Sequence, residues 1–413
     1  MPRPVSATPP LLRRINAART LDLLRFGGPS NVADLAQRAG LSRATLDAVV
    51  DDLTRIGLVA PDVAAEAEGA RGRGRPPRRL RFRAESGHVL GIDIGAHRLE
   101  VVVADLLGTI VAGRERRLTP ELGRAQRLRA ARQAAAGVLK DAGLVKDSLR
   151  AVGVSTPGIV DSDMGTVTYC SSIADWSGLA LAAEFERTFG CAVAVGNDAN
   201  LAALGECWRG AGPGHDDVVF LLAGERVGAG IVIGGELVRG KRGGTGEITF
   251  LGLLRNPDPS EAIDQLVTSV VHRTIQDLID RRAVGSEPVR ALLADLAPLH
   301  GVYVPDVDKV LAAAQSGRVG ARRDLETALA RVCRVIVVIT TLISPELFVI
   351  GGNAPAAETV ILPPIRAVLD GLAGTGVGPP AVSASTLGER VVTLGAVRAA
   401  LDRAEPTLLA ELG

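Results

Sequence analysis

The sequence predicts an α/β protein led by a small winged helix-turn-helix. Three observations carry this expectation. Residues 1–83 hold 15 arginines, no lysine and 8 acids, a balance of +7, whereas the rest of the chain carries −6 within an overall charge of +1. A basic head on an acidic body points to a polyanion that only the head meets. The 48 glycines are spread without a repeat, as many tight strand-to-helix turns require. Hydrophobic residues make up 47% but aromatics only 3%, so a large core has to be built from Ala, Val, Leu and Ile.

The length of 413 residues suits two or three domains. No uncharged apolar run reaches the ~18 residues of a membrane span, and Met1-Pro2-Arg3-Pro4 lacks the apolar core of a signal peptide. The four cysteines (Cys170, Cys191, Cys207 and Cys333) form no Cys-x-x-Cys pair. A disulfide framework and a Cys-rich zinc site are therefore not expected; the expected compartment is a reducing cytoplasm, with the protein at the nucleoid.

In the head, Leu12, Ile15, Ala18, Leu21, Leu23 and Leu24 recur with a helical period over residues 11–25. Gly27-Gly28-Pro29 ends that helix, and either Ser30 or Asn31 can cap a short second one reaching Arg38. Gly40 supplies a left-handed turn, and Ala36 is small enough for the flanking helices to approach. Ser42 caps a third helix that runs to Ile56 and stops at Gly57, with Leu35, Leu41, Leu46 and Val49 as the shared core. This is a helix-turn-helix whose recognition helix spans 42–56. Ser42, Arg43 and Thr45 would face the major groove, with Arg43 the first choice for a bidentate contact to guanine.

Leu58-Val59 and the alternating stretch at Leu80 and Phe82 read as two strands around a loop rich in glycine and arginine, residues 71–79. Such a loop is a wing. Arg73 and Arg75 would enter the minor groove, and the other arginines would touch phosphates. The plainer alternative is a helical cap followed by a solvated basic linker.

The body alternates buried strands with polar glycine turns: Val89–Gly95, Arg98–Leu106, Ala151–Asp161, Val193–Asn200, Val218–Leu222, Gly228–Ile233, Gly243–Glu247 and Leu347–Asn353, with a helix from Leu201 to Cys207. The Asp93-x-Gly95 turn either presents amides to a phosphate or has Asp93 merely cap the hairpin. Asn197 and Asp198 either line a pocket or cap the helix after them.

Residues 88–400 resemble the ROK family, the repressors, open reading frames and kinases. The motifs occur in that family's order: Asp93-x-Gly95, Ser155-Thr156-Pro157-Gly158, Asn197-Asp198-Ala199-Asn200, Gly228-x-Gly230, Gly246-Glu247 and Gly351-Gly352. The resemblance implies two actin-like α/β domains (the sugar-kinase, RNase H-like architecture) around a cleft. It divides the chain into a winged helix-turn-helix at 1–83, a first α/β domain at 84–196 completed by about 390–413, and a second at 197–389. A head placed before such a body resembles the family's repressor branch.

By resemblance, Asp198 occupies the catalytic-base position of the family's kinases. Asn197, Asp198 and Glu247, with Thr156 and Gly158, would hold a sugar. The phosphate side departs from the family. Ala96 and His97 replace a Gly and a Thr, and Gly224-Glu225-Arg226 replaces Gly-Thr-Gly. A carboxylate at Glu225 would repel phosphates unless it only forms a surface ion pair with Arg226. The family's Gly-His and zinc-binding Cys loop are missing after Glu247, where Ile248-Thr249-Phe250 follows, and Glu261 is only a distant counterpart of a second family Glu.

The expected function is thus a sugar-sensing transcriptional regulator, a repressor, that is not an enzyme and binds no metal or cofactor; Asp198 is then a vestigial base. Its expected partners are a double-stranded inverted-repeat operator, a sugar effector, and a second copy in a homodimer or a tetramer, with no membrane. The alternatives are an active glucokinase-like enzyme and a regulator that has lost its sugar.

Overall fold

The computed structural model describes residues 9–62, 79–119, 121–223, 227–248, 270, 307–352, 357–373, 376 and 378–410. Arg73, Arg75, Glu225, Arg226, Phe250 and Glu261 lie outside the described residues. Two compact units form. One comprises Met1–Val154, Leu181–Ala194 and Val397–Gly413, the other Ser155–Ala180 and Val195–Ala396. Among the described residues no helix is long and apolar enough to cross a membrane.

The head starts with α1 (Pro9–Gly27), β1 (Ser30–Asn31), α2 (Val32–Ala39) and α3 (Arg43–Arg55). Asn31, not Ser30, caps α2, its Oδ1 accepting from the Asp34 N–H at 2.9 Å. Gly40, at φ 65° and ψ 33°, makes the left-handed turn. Ser42 caps α3 by accepting from the Thr45 N–H at 3.2 Å. β2 (Val59–Pro61) and β3 (Arg79–Phe82) then pair antiparallel, and β1 adds to the far side of β3, giving the order β1-β3-β2. Three helices against a three-stranded sheet make a winged helix-turn-helix.

Its core joins Leu21, Leu24, Leu35, Leu46 and Leu53 to Leu80 and Phe82. Burial of each such side chain stabilises the fold by ~1.5–3 kcal/mol. Leu106, Leu408 and Leu409 belong to the same cluster, so the head shares its core with the body portion of its unit. Arg25 strengthens that contact. Its guanidinium lies 5.1 Å from the Phe82 ring centroid and 3.3 Å from a Glu405 carboxylate oxygen.

Each unit contributes to a five-stranded sheet. In the first, β4 (His88–Ile94), β5 (Arg98–Asp105) and β6 (Ile110–Arg117) form an antiparallel meander, joined by β7 (Leu149–Thr156) and β10 (Ala192–Asn197). A hairpin of β8 (Ile159–Asp161) and β9 (Thr166–Tyr169) intervenes in sequence. In the second, β11 (Val218–Ala223), β12 (Val227–Ile233) and β13 (Glu236–Leu237) form the meander. β14 (Leu347–Gly352) and β15 (Ala381–Ala384) follow in parallel. The orders are β10-β7-β4-β5-β6 and β13-β12-β11-β14-β15. Read from the meander edge, both run 3-2-1-4-5. This duplication is the actin-like plan.

Among the described residues the body's helices are α4 (Arg124–Asp141), α5 (Leu181–Phe189), α6 (Asp198–Arg209), α7 (Val307–Gln315), α8 (Val319–Ile343), α9 (Leu362–Asp370) and α10 (Val391–Leu408). One α4 residue escapes the periodicity argument. Arg127 is fully buried, and its guanidinium donates to the carbonyls of Leu122 and Gly95 at 2.8 Å and of Ala96 and Thr119 at 2.9 Å. It fastens the turn after Asp93 from behind.

Asp52 ties α3 to α1. It is buried, and Arg13 forks onto it at 2.6 and 2.7 Å while Arg55 adds a bond of 3.3 Å. The hydrogen bonds from Arg13 hold its carboxyl below the usual aspartate range, against a smaller opposing effect of burial. A group whose pKa is lowered by folding stabilises the fold above its unfolded pKa and loses that contribution as pH falls through the folded one. Asp52→Asn should therefore lower the melting temperature by roughly 2–4 °C at neutral pH. That deficit should narrow once the pH drops below the usual aspartate range, and a deficit that does not change with pH would refute the ion-pair assignment.

Candidate functional site

In the head, α3 turns Leu46, Val49, Val50 and Leu53 inward and leaves Ser42, Arg43, Ala44, Thr45, Asp47 and Ala48 exposed. The predicted contact residues therefore sit on an open helix N-terminus. Two of them already have local partners: the Ser42 and Thr45 hydroxyls lie 2.8 Å apart within the cap. Arg43 remains extended from the helix, its side chain 69% exposed, with its Nε 3.7 Å from an Asp47 carboxylate oxygen. The two predicted wing arginines, Arg73 and Arg75, fall outside the described residues.

In the second unit, the polar site is organised by backbone close approach. α6 lies on β12 so tightly that a Cβ on Gly230 would sit 2.3 Å from the Ala199 carbonyl oxygen. A Cβ on Gly246, at φ +85°, would sit 1.7 Å from the Ala229 carbonyl oxygen. These contacts bring the start of α6 and the Gly246-Glu247 turn to the same strand.

Asn197 ends β10 and caps α6. Its Oδ1 accepts from the N–H groups of Ala199 at 2.9 Å and Asn200 at 3.2 Å. Its Nδ2 donates to the Gly158 carbonyl at 2.8 Å and stands 3.5 Å from Glu247 Oε1. Of the two roles weighed from sequence, the geometry shows the cap, with the amide nitrogen turned toward Gly158 and Glu247. Asp198, half-buried in the first helical turn, accepts from the Ala199 N–H at 2.8 Å, where the helix dipole favours a carboxylate.

Gly158 holds φ +95°, and its backbone lies against Tyr169 and Cys170. Thr156 differs from the other ligand candidates. It is fully buried, and its hydroxyl accepts from the Trp176 indole N–H at 2.7 Å, so it supports the Gly158 turn from beneath. At the far end of α6, buried Glu206 accepts from the Ser385 hydroxyl and from the Ala211 N–H at 2.8 Å, and burial raises its pKa. Nothing in the local sequence around Glu206 signals a partner 179 positions away. Among the described residues no His/Cys/Asp/Glu cluster suited to a metal occurs.

The sequence profile of the ROK family matches residues 89–256, a span that includes Asp93, Gly158, Asn197, Asp198 and Glu247. The chain carries a ROK family domain. The xylose repressor of Caldicellulosiruptor bescii is 22% identical over 370 residues, covering 87% of this chain and 88% of that protein. A ROK family transcriptional regulator, a homologue of the E. coli MLC protein, has the same fold with a TM-score of 0.74 at 21% identity, across 97% of this chain and 99% of its own. A ROK family glucokinase from Streptomyces griseus, solved with glucose and AMPPNP, matches with a TM-score of 0.59 at 27% identity, across 76% of this chain and 100% of its own. The glucokinase leaves about a quarter of this chain unmatched, whereas the regulator leaves almost none.

Asn197→Ala would remove the cap of α6 and the link to Gly158 together. Loss of a cap costs about 1–2 kcal/mol. Chemical denaturation of the chain should show at least that loss, and a variant as stable as the wild type would sink this account of Asn197.

Proposed function

We propose that this chain is a DNA-binding transcriptional repressor whose ROK body senses a sugar. The observation that carries this reading is the union, in one chain, of a winged helix-turn-helix with an exposed α3 and a ROK body retaining Asn197, Asp198 and Glu247. The names of the xylose repressor and the MLC-type regulator support it, because the likeness to each extends over most of the chain.

In this reading Asp198 and Glu247 accept hydrogen bonds from sugar hydroxyls. A carboxylate has about four lone-pair sites, so each of these side chains can accept from several donors at once. Asn197 and Gly158 shape that surface, and Thr156 stands behind it. The sugar acts as effector rather than substrate: Ala96 and His97 stand where the resemblance expects phosphate-binding residues, and Glu225 would oppose a triphosphate. The protein works as a dimer in the cytoplasm. Two recognition helices about 34 Å apart then read an inverted repeat, with Arg43 on guanine and Arg73 and Arg75 in the minor groove. A sugar releases the operator only by its difference in affinity for the two states.

Affinity selection of genomic fragments by the full chain should recover inverted repeats beside sugar-utilisation genes. Binding should weaken steeply as salt rises, because phosphate contacts release counterions. No salt-dependent binding to any duplex would overturn the reading.

Asp198→Ala should retain operator binding yet lose the rise in melting temperature that an effector sugar produces in the wild type. A variant stabilised as strongly as the wild type would move the pocket elsewhere. In a coupled ATP assay over a sugar panel the wild type should form no ADP above background. Hexose-dependent turnover would favour the glucokinase reading instead.

A further inference from the structure

We propose that Asp47 is a specificity-determining residue that reads a cytosine in the operator; this rests on the DNA-binding reading above. α3 is not itself a basic helix. It carries Arg43 and Arg55 against Asp47, Asp51 and Asp52. The fold treats these acids differently. Asp52 is buried and is neutralised by Arg13 and Arg55 at 2.6–3.3 Å. Asp47 stands in solvent, its side chain 54% exposed, and its contact with Arg43, at 3.7 Å, is too long for a hydrogen bond. A solvated pair of this kind neutralises little.

At 100° per residue, Ala44, Asp47, Ala48 and Asp51 share the face turned away from Leu46, Val49, Val50 and Leu53. The two alanines leave Asp47 unshielded, so a helix lying in the major groove on this face brings a bare carboxylate to the base edges. An ionised carboxylate can only accept hydrogen bonds. Guanine O6 and N7 and thymine O4 are acceptors and repel it. Adenine N6 is a donor but has the acceptor N7 beside it. Cytosine N4 is the donor without that neighbour. Arg43, one turn earlier, is offset by ~6 Å along the helix, one or two base-pair steps, and donates to a guanine. Asp47 thus works by penalising every site that lacks a cytosine at its position, and it lowers affinity for non-specific DNA at the same time.

The test is selection of a randomised duplex library by the full chain as wild type, Asp47→Ala, Asp47→Asn and Arg43→Ala. The wild-type sequence preference should contain a cytosine position that Asp47→Ala levels, reducing the preference by about tenfold or more. Asp47→Asn should shift that position toward adenine, which an amide reads with both its groups. Arg43→Ala should erase a separate guanine position and keep the cytosine. Asp47→Ala should also bind unrelated duplex more tightly. An unchanged cytosine position in Asp47→Ala overturns the proposal. So does loss in Asp47→Ala of only the guanine that Arg43→Ala erases, since Asp47 would then merely orient Arg43. A wild type that enriches no sequence defeats the DNA-binding reading itself, and the proposal with it.

Discussion

The close approach of α6 to β12 determines where the site's polar groups stand. Gly230 lets the Ala199 carbonyl reach the strand, and Gly246 lets its turn close on the neighbouring Ala229. With both contacts made, Asn197 can cap the helix through its oxygen and hold Gly158 through its nitrogen, within 3.5 Å of Glu247. A side chain at either glycine would separate these groups before it touched any ligand. The placement of these polar groups therefore depends on backbone packing, and Asn197 is a structural fastening whatever else it does.

The head obeys a different constraint. Three short helices and a three-stranded sheet enclose little apolar surface, and small domains of this size are marginal by themselves. The structure answers by letting Leu106, Leu408 and Leu409 complete the head's core and by placing Arg25 between Phe82 and Glu405. The last turn of α10 and Leu409 thus pack with the head. The head's stability is shared with the body portion of its unit, so its attachment is an energetic property as well as a covalent one.

Much of this was legible from residue spacing. The limits of α2 and α3 follow from Ser42, Gly40 and Gly57, because caps and left-handed turns are local chemistry. The buried strands follow from apolar runs that end in glycine. Residues that act over long separations were not legible. Arg127 lies on an arginine-rich helix and carries no sign that it donates to four carbonyls. Glu206 and Ser385 meet across 179 positions, and Leu408 joins a core whose other members begin near residue 17. Family resemblance alone assigns Thr156 to the ligand set; only the geometry of Trp176 reveals that its hydroxyl faces inward.

The distribution of charge in the head separates affinity from choice. Most of its 15 arginines lie outside α3, on α1, on β3 and in the segment between β2 and β3. Charges there can neutralise phosphates irrespective of sequence, and phosphate contacts position a protein without informing it. α3, the helix proposed to meet the base edges, carries more acid than base. A helix that added its own positive charge would bind every duplex more strongly and distinguish among them less. By keeping an exposed carboxylate beside one arginine, the helix leaves attraction to its surroundings, and the donor pattern of the bases decides which attractions survive.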